Sequence, residues 1–369
     1  MLAVLRSIST GLSQFYDTLS GEMLTIQLWG KITTTMKKII KKWVHIPGLH
    51  CGSVAIRDVM KYHGYNLSEA MCFGIGGGLG FFYTVGDDIT PTRMIFVRGP
   101  EMEPTFFSLT DKPTSWKYET DDEKAFEIAK RWLDEDIPIL IQTDVRYLDY
   151  YNSSTNFPGH VVSVWGYDDD TQTVFLADTG FEGLQSVSYE KFKKGRASKA
   201  KSNPLENNWF EVNPEKPIRP LYEVIPEAIR MNAQKMIQGR RGGRGESGVR
   251  MIKLWSDDLP HWTDAPDWKW CSRFGYQVIK KRGVCGAGFR WIYRDFLKEA
   301  EEIVPSLKER KFSQKMGSIG NKWSEISLLL KAISEKEKPD GDLLNLASKR
   351  AKELWELEVG FYSDVLETL

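Results

Sequence analysis

The sequence predicts an α+β fold, and three observations carry that prediction. A helix with a cysteine at its head comes early. "CGSVAIRDVMKYHG" (Cys51–Gly64) puts Val54, Ala55, Val59 and Met60 at helical spacing and ends on a glycine. Strand-like runs come later, "HVVSVWGY" and "QTVFLAD", joined by the acidic turn Asp168–Thr171. Beyond residue 200 the pattern becomes mainly helical. Helix first, antiparallel strands second and a helical remainder make an α+β protein.

The elements between these landmarks follow the same logic. "NLSEAMCFG" is a short helix capped by Ser68. "GIGGGLGFFYTV" is a glycine-rich loop entering a strand, and "TRMIFVR" is another strand. "TDDEKAFEIAKRWLDED" has acidic residues in its first turn and an apolar stripe, which marks a helix. "IPILIQTD" is a buried strand, and "SYEKFKKGRAS" a short capped helix. The polar "KAKSNPLENN" interrupts the pattern near residue 200 and marks a domain boundary. "PEAIRMNAQKMIQG", "FRWIYRDFLKEAEEIV", "KWSEISLLLKAISEKE" and "DLLNLASKRAKELWELEVGFYSDVLE" are helical. The expected organisation is an extension over 1–35, a first domain over 36–200 and a helical domain over 201–369. "MKKIIKKWVHIPG", opening at Met36, looks like a natural start. Arg6 inside the apolar stretch, with Asp17 and Glu22 soon after, argues against a signal peptide before it.

Composition excludes several classes. Fifty basic and fifty acidic residues cancel, so no net field points to nucleic acid or a membrane surface. No apolar run is long enough for a membrane span. Cys51, Cys72, Cys271 and Cys285 form no C-x-x-C pair, which fits a reducing cytoplasm better than a disulfide scaffold. There is no H-E-x-x-H and no paired-cysteine spacing, so no metal site is expected. No G-x-S-x-G elbow is present either. "GIGGGLG" departs from phosphate-loop spacing and reads as a tight backbone approach or as the wall of a substrate channel. "GRRGGRG" reads as a solvated basic loop; the alternative is that Arg240, Arg241 and Arg244 steer an acidic partner.

Cys51 carries the question of function. A buried cysteine is often only a small apolar filler. At a helix N-terminus, unpaired amides and the dipole favour its thiolate. A base is available. Pairing the later strands about Asp169 puts His160 opposite Asp178, Val162 opposite Leu176 and Val164 opposite Val174. Asp178 then fixes the His160 tautomer, leaving the second ring nitrogen for the thiol. The amides of Cys51 and Gly52 are backbone candidates for an oxyanion, with His45 and His50 as side-chain candidates in the preceding loop.

At these residues the sequence resembles a known family. "HCGSVAIRDVMKYHGYNLSEAMCFGIGGGLGFFY" (His50–Tyr83) and "GHVVSVWGYDDDTQTVFLADT" (Gly159–Thr179) are similar to the N-terminal domain of butirosin-biosynthesis protein H. "GESGVRMIKLWSDDLPHW" and "RGVCGAGFRWIYRDFL" resemble the helical domain that follows it, so the likeness spans residues 45–300. The resemblance implies a papain-like fold close to that of the double-glycine-leader peptidases. It implies acyl transfer from a carrier-protein thioester to a small-molecule amine, with no cofactor beyond the donor's phosphopantetheine arm. Cys51 matches the nucleophile, His160 the base and Asp178 the third member. Peptidase relatives carry a glutamine oxyanion donor six residues before the cysteine, where this chain has His45. Gly76, Gly77, Gly78 and Arg290 are the candidate channel residues. The open alternatives are a peptidase or amidase using the same three residues, and a non-catalytic module that keeps the fold.

Overall fold

Cys51 opens the first helix, and the rest of the first half of the molecule is arranged around it. The computed structural model describes residues 36–111, 115–201, 203–212, 217–239, 241–242, 245–281 and 286–369. The expected extension 1–35, Cys285, and the side chains of Arg240, Arg241 and Arg244 lie outside the described residues. The strands of three residues or more are β1 (Lys37–Ile39), β2 (Leu79–Val85), β3 (Arg93–Arg98), β4 (Ile139–Thr143), β5 (His160–Asp168), β6 (Thr173–Ala177), β7 (Gln185–Ser188) and β8 (Trp209–Glu211). In the first half the helices are α1 (Cys51–Tyr62), α2 (Glu69–Ile75), α3 (Met102–Leu109), α4 (Asp122–Asp134) and α5 (Tyr189–Arg196). The second half adds α6 (Leu221–Gln238), α7 (Val249–Asp258), α8 (Trp268–Tyr276), α9 (Arg290–Ile303), α10 (Pro305–Glu309), α11 (Phe312–Ser334) and α12 (Gly341–Thr368).

The predicted caps form: Ser68 accepts the Met71 amide at 2.9 Å, and Ser188 accepts that of Lys191 at 3.4 Å. Asp121 adds a further cap, accepting the Glu123 and Lys124 amides at 3.0 Å each. The fold is α+β, with an antiparallel sheet ordered β7-β6-β5-β4-β8 and a helical second half. β5 is the central strand, and all nine of its residues are buried. β4 pairs with its first half and β1 with its second, both on the side opposite β6. The polar stretch at which the sequence places a boundary carries the chain from α5 to β8, and β8 joins the sheet beside β4.

Contrary to the predicted register, the β5–β6 hairpin does not pair about Asp169. Val164 faces Leu176, and after a bulge at Trp165 Gly166 faces Phe175 and Asp168 faces Thr173. Near the open end the register is therefore two residues away from the predicted one. The bulge sits where β1 crowds β5. A Cβ on Gly166 would lie 2.4 Å from the Lys38 carbonyl oxygen, so β1 approaches closer than any side chain permits. A two-residue slip conserves side-chain parity, so His160 and Asp178 stay on one face as diagonal neighbours.

Helix α1 crosses the sheet against β5, and its first ten residues are buried. Its other sides meet α2 and α3. The β2–β3 hairpin links this half to the helices. Phe81 on β2 packs on Trp255 and Trp323, whose rings stack with centroids 6.0 Å apart. Gly74 on α2 accepts the Phe296 ring of α9, 2.0 Å from where a Cβ would stand. One continuous apolar core therefore runs from the sheet into the helices.

Candidate active site

The loop before Cys51 is held by a single carboxylate. Glu69 on α2 accepts the Leu49 amide at 2.9 Å, the His50 amide at 2.8 Å and the Ser53 hydroxyl at 3.0 Å. The Gly48 amide donates to the Thr179 carbonyl at 2.7 Å, which ties this loop to the segment just after β6. His50 is the N-cap of α1. Its neutral ring lies between the Ser53 amide, 3.3 Å from Nδ1, and the Arg98 guanidinium, 3.1 Å from Nε2. Burial, Arg98 and His160 all hold the His50 pKa well below the usual value.

Cys51, His160 and Asp178 come together. His160, the first residue of β5, presents Nε2 to Asp178 Oδ1 at 2.8 Å, and its ring is within hydrogen-bonding reach of Cys51. Asp178 directly follows β6. It also receives the hydroxyls of Tyr150 at 2.8 Å and Tyr151 at 3.2 Å, both from a short 3-10 turn. Burial and the nearby carboxylate raise both tyrosine pKa values, so these hydroxyls stay protonated and keep donating. All three members of the line are buried.

The electrostatics favour an ion pair. Burial alone would push the Cys51 thiol up. The hydrogen bond and charge of His160, the Arg98 guanidinium and the Val161 amide overcome that and bring it down to about 6. Burial would lower His160, but Asp178 and the Cys51 sulfur raise it to about 10. Arg98 Nη1 lies 3.9 Å from the Cys51 sulfur. Cys72 and Cys271 are buried elsewhere, and burial raises both thiols, Cys271 to about 11. Iodoacetamide is therefore expected to modify Cys51 with a midpoint near pH 6, leaving Cys72 and Cys271 unmodified in the native state. His160→Ala moves that midpoint up towards the ~8.5 of a free thiol. A wild-type midpoint already at the free-thiol value would contradict the ion pair.

His45 lies elsewhere than the resemblance implies. Its Nε2 is 2.8 Å from the Phe181 carbonyl oxygen and its Nδ1 2.5 Å from Asp58 Oδ2. A carbonyl and a carboxylate both need a donor, so the ring carries two protons. Burial opposes that charge, and Asp58 overcomes it, leaving the His45 pKa raised. With both nitrogens committed, His45 staples the 45–50 loop to α1 and to the segment after Asp178. The amides of Cys51 and Gly52 take no acceptor among the described residues. The glycine loop matches the close-backbone reading rather than the channel one, and Arg290 too departs from the channel expectation. Gly76, Gly77 and Gly78 are buried. They let the 98–103 segment lie close: Gly99 donates to the Gly78 carbonyl at 2.9 Å, and a Cβ on Gly76 would meet the Met102 carbonyl oxygen at 2.8 Å. Arg290 is fully buried and bound to Glu358, with no face open to a substrate.

The residues that sequence reasoning missed are Glu69, Arg98, Glu103, Tyr150 and Tyr151. Each reaches the site from another element and has no fixed spacing from Cys51 or His160. Among the described residues no cluster of His, Cys, Asp and Glu is arranged to hold a metal, and no helix is long and apolar enough to cross a membrane.

The molecule is thus an α+β protein with a cysteine, an imidazole and a carboxylate in a buried hydrogen-bonded line. Residues 50–179, which contain all three, match the family model for butirosin biosynthesis protein H, N-terminal. Residues 190–365 match a domain of unknown function (DUF4872). No curated protein matches the chain.

Proposed function

We propose that this protein is a cysteine-dependent acyltransferase working through an acyl-enzyme on Cys51. The observation that carries the reading is the line Cys51–His160–Asp178, with the thiol lowered to about 6 and the imidazole raised to about 10. At neutral pH such a pair rests as thiolate and imidazolium. A helix with a thiol at its head, laid across an antiparallel sheet that supplies the imidazole and carboxylate, supports a papain-like reading of residues 36–200. The family's printed role in butirosin biosynthesis supports a biosynthetic acyl transfer.

The Cys51 thiolate attacks a thioester carbonyl. The oxyanion that forms is met by the Cys51 and Gly52 amides and by the Arg98 guanidinium, which takes the side-chain role that His45 leaves unfilled. Collapse expels the donor thiolate, which takes the proton from His160. Neutral His160 then accepts a proton from the attacking amine, and a second collapse releases the amide and restores the Cys51 thiolate. Asp178 keeps the ring in the tautomer that serves both steps. A phosphopantetheine thioester on an acyl carrier protein is the proposed donor, and no other cofactor enters this scheme. The acceptor is a small-molecule amine, the helices of 201–369 exclude water from the acyl-enzyme, and a cytoplasmic setting keeps the thiol reduced.

The test uses the full chain with an N-acetylcysteamine thioester, with and without methylamine. The expected result is an acyl adduct on Cys51 by intact mass, discharged to the amide faster than to the free acid. Discharge to acid alone, indifferent to the amine, would make the protein a hydrolase. A wild-type protein that never acquires the adduct would leave only a binding module.

A further inference from the structure

Glu103, the second residue of α3, is buried beside the head of α1. Its Oε1 lies 1.9 Å from where a Cβ on Gly52 would stand, so the carboxyl occupies the place of that missing side chain. No ion pair involves it among the described residues, and its own backbone amide is the donor it has. The charges that reach it are those of Cys51 and Arg98. An unpaired carboxyl at this depth costs stability, and packing next to the nucleophile is the position where that cost has a chemical use.

We propose that Glu103 binds the acceptor amine as its ammonium ion and takes the first of its two protons. The inference rests on the acyl-transfer reading and specifies its acceptor as an amine that arrives charged. The proton balance calls for such a group. After acylation His160 is neutral and accepts one proton. Water attacking the thioester must lose only that one. An ammonium must lose two: one to expose its lone pair, one as the C–N bond forms. The step is acyl-Cys51 + RNH3+ + neutral His160 + Glu103 carboxylate → amide + Cys51 thiolate + His160 imidazolium + Glu103 carboxylic acid. Charge is zero on both sides, and Glu103 afterwards returns its proton to solvent.

Timing supports the assignment. In the resting protein burial, with the Cys51 charge added, pushes the Glu103 carboxyl up to about 7, against its own amide and Arg98. Acylation turns the Cys51 thiolate into a neutral thioester and removes that repulsion. Glu103 is therefore more easily ionised in the state that must receive a cation. Gly52 is required for the same geometry, because a methyl there would displace the carboxyl.

The test prepares the acyl-enzyme from an N-acetylcysteamine thioester, removes excess donor and adds methylamine or methoxyamine. The first is charged at neutral pH and the second is not. Glu103→Gln is expected to slow methylamine discharge by about 10²-fold, the scale of one general base, with a much smaller fall for methoxyamine. Glu103→Asp, with its carboxylate drawn back by one methylene, lowers the methylamine-to-methoxyamine ratio by less, and carries the test alone if the glutamine variant does not fold. Equal slowing of the two amines, or no slowing, overturns the inference while the acyl-transfer reading stands. Failure of the wild-type protein to form an acyl-enzyme overturns both.

Discussion

Cys51→Ala is expected to abolish the acyl adduct and to lower thioester-to-amine transfer by about 10⁴-fold or more, the scale seen when the nucleophile of such a line is removed. The alanine variant should fold, because the site already holds a small, buried side chain on a helix that favours alanine. Its circular dichroism and melting temperature should therefore stay close to wild type. The loss is chemical: the Cys51 and Gly52 amides and Arg98 remain in place, and only the atom that forms the covalent bond is gone. His160 should respond as well. Without the sulfur it loses a hydrogen bond and a negative neighbour, both of which raise it, so its pKa falls from about 10. An NMR titration of the His160 ring would follow that fall. Transfer at the wild-type rate in Cys51→Ala would end the reading of this line as a nucleophilic site.

The second large effect concerns stability. Arg290 donates to Glu358 from Nε at 2.8 Å and from Nη2 at 3.2 Å. Its Nη1 donates to the Val97 and Gly288 carbonyls at 3.0 and 2.8 Å. The guanidinium lies 4.6 Å from the Trp323 ring centroid, and Trp323 Nε1 donates to Glu358 at 2.6 Å. Both charged side chains are fully buried. Arg290→Leu strands a carboxylate in that core and should cost about 3–5 kcal/mol, read as a lower urea midpoint at unchanged slope. Adding Glu358→Leu should recover much of the loss, because the desolvation penalty disappears with the second charge. A single variant as stable as wild type would mean that Glu358 finds another partner. The effect reaches the site too: Arg290 holds Val97, the residue before Arg98, so its loss loosens the strand end that sets the guanidinium beside Cys51.

Local signals made part of the site legible. The thiol at the head of α1 follows from helical spacing and the glycine at its end. The side-chain parity of β5 and β6 brings His160 and Asp178 to one face, and parity survives the two-residue change in register. The register itself was not legible, because the bulge at Trp165 lies where β1, more than a hundred residues away in the chain, comes close at Gly166, and no local pattern marks such a meeting. Helix α3 lacks the plain apolar stripe that announced α4, and α7 and α8, which have one, carry neither a side-chain cap nor acidic residues in the first turn. His45 shows the limit of transferring a position. It stands where the resemblance expects an oxyanion donor, but Asp58 and the Phe181 carbonyl claim both its nitrogens.

The sequence by itself determined the α+β class, the thiol at a helix head and the imidazole and carboxylate on one sheet face, because helix periodicity and strand alternation are short-range rules. Only the tertiary structure decided what surrounds the thiol. Glu69, Arg98, Glu103, Tyr150 and Tyr151 arrive from separate elements. Charge and burial act through space, so no spacing along the chain records which of them will meet.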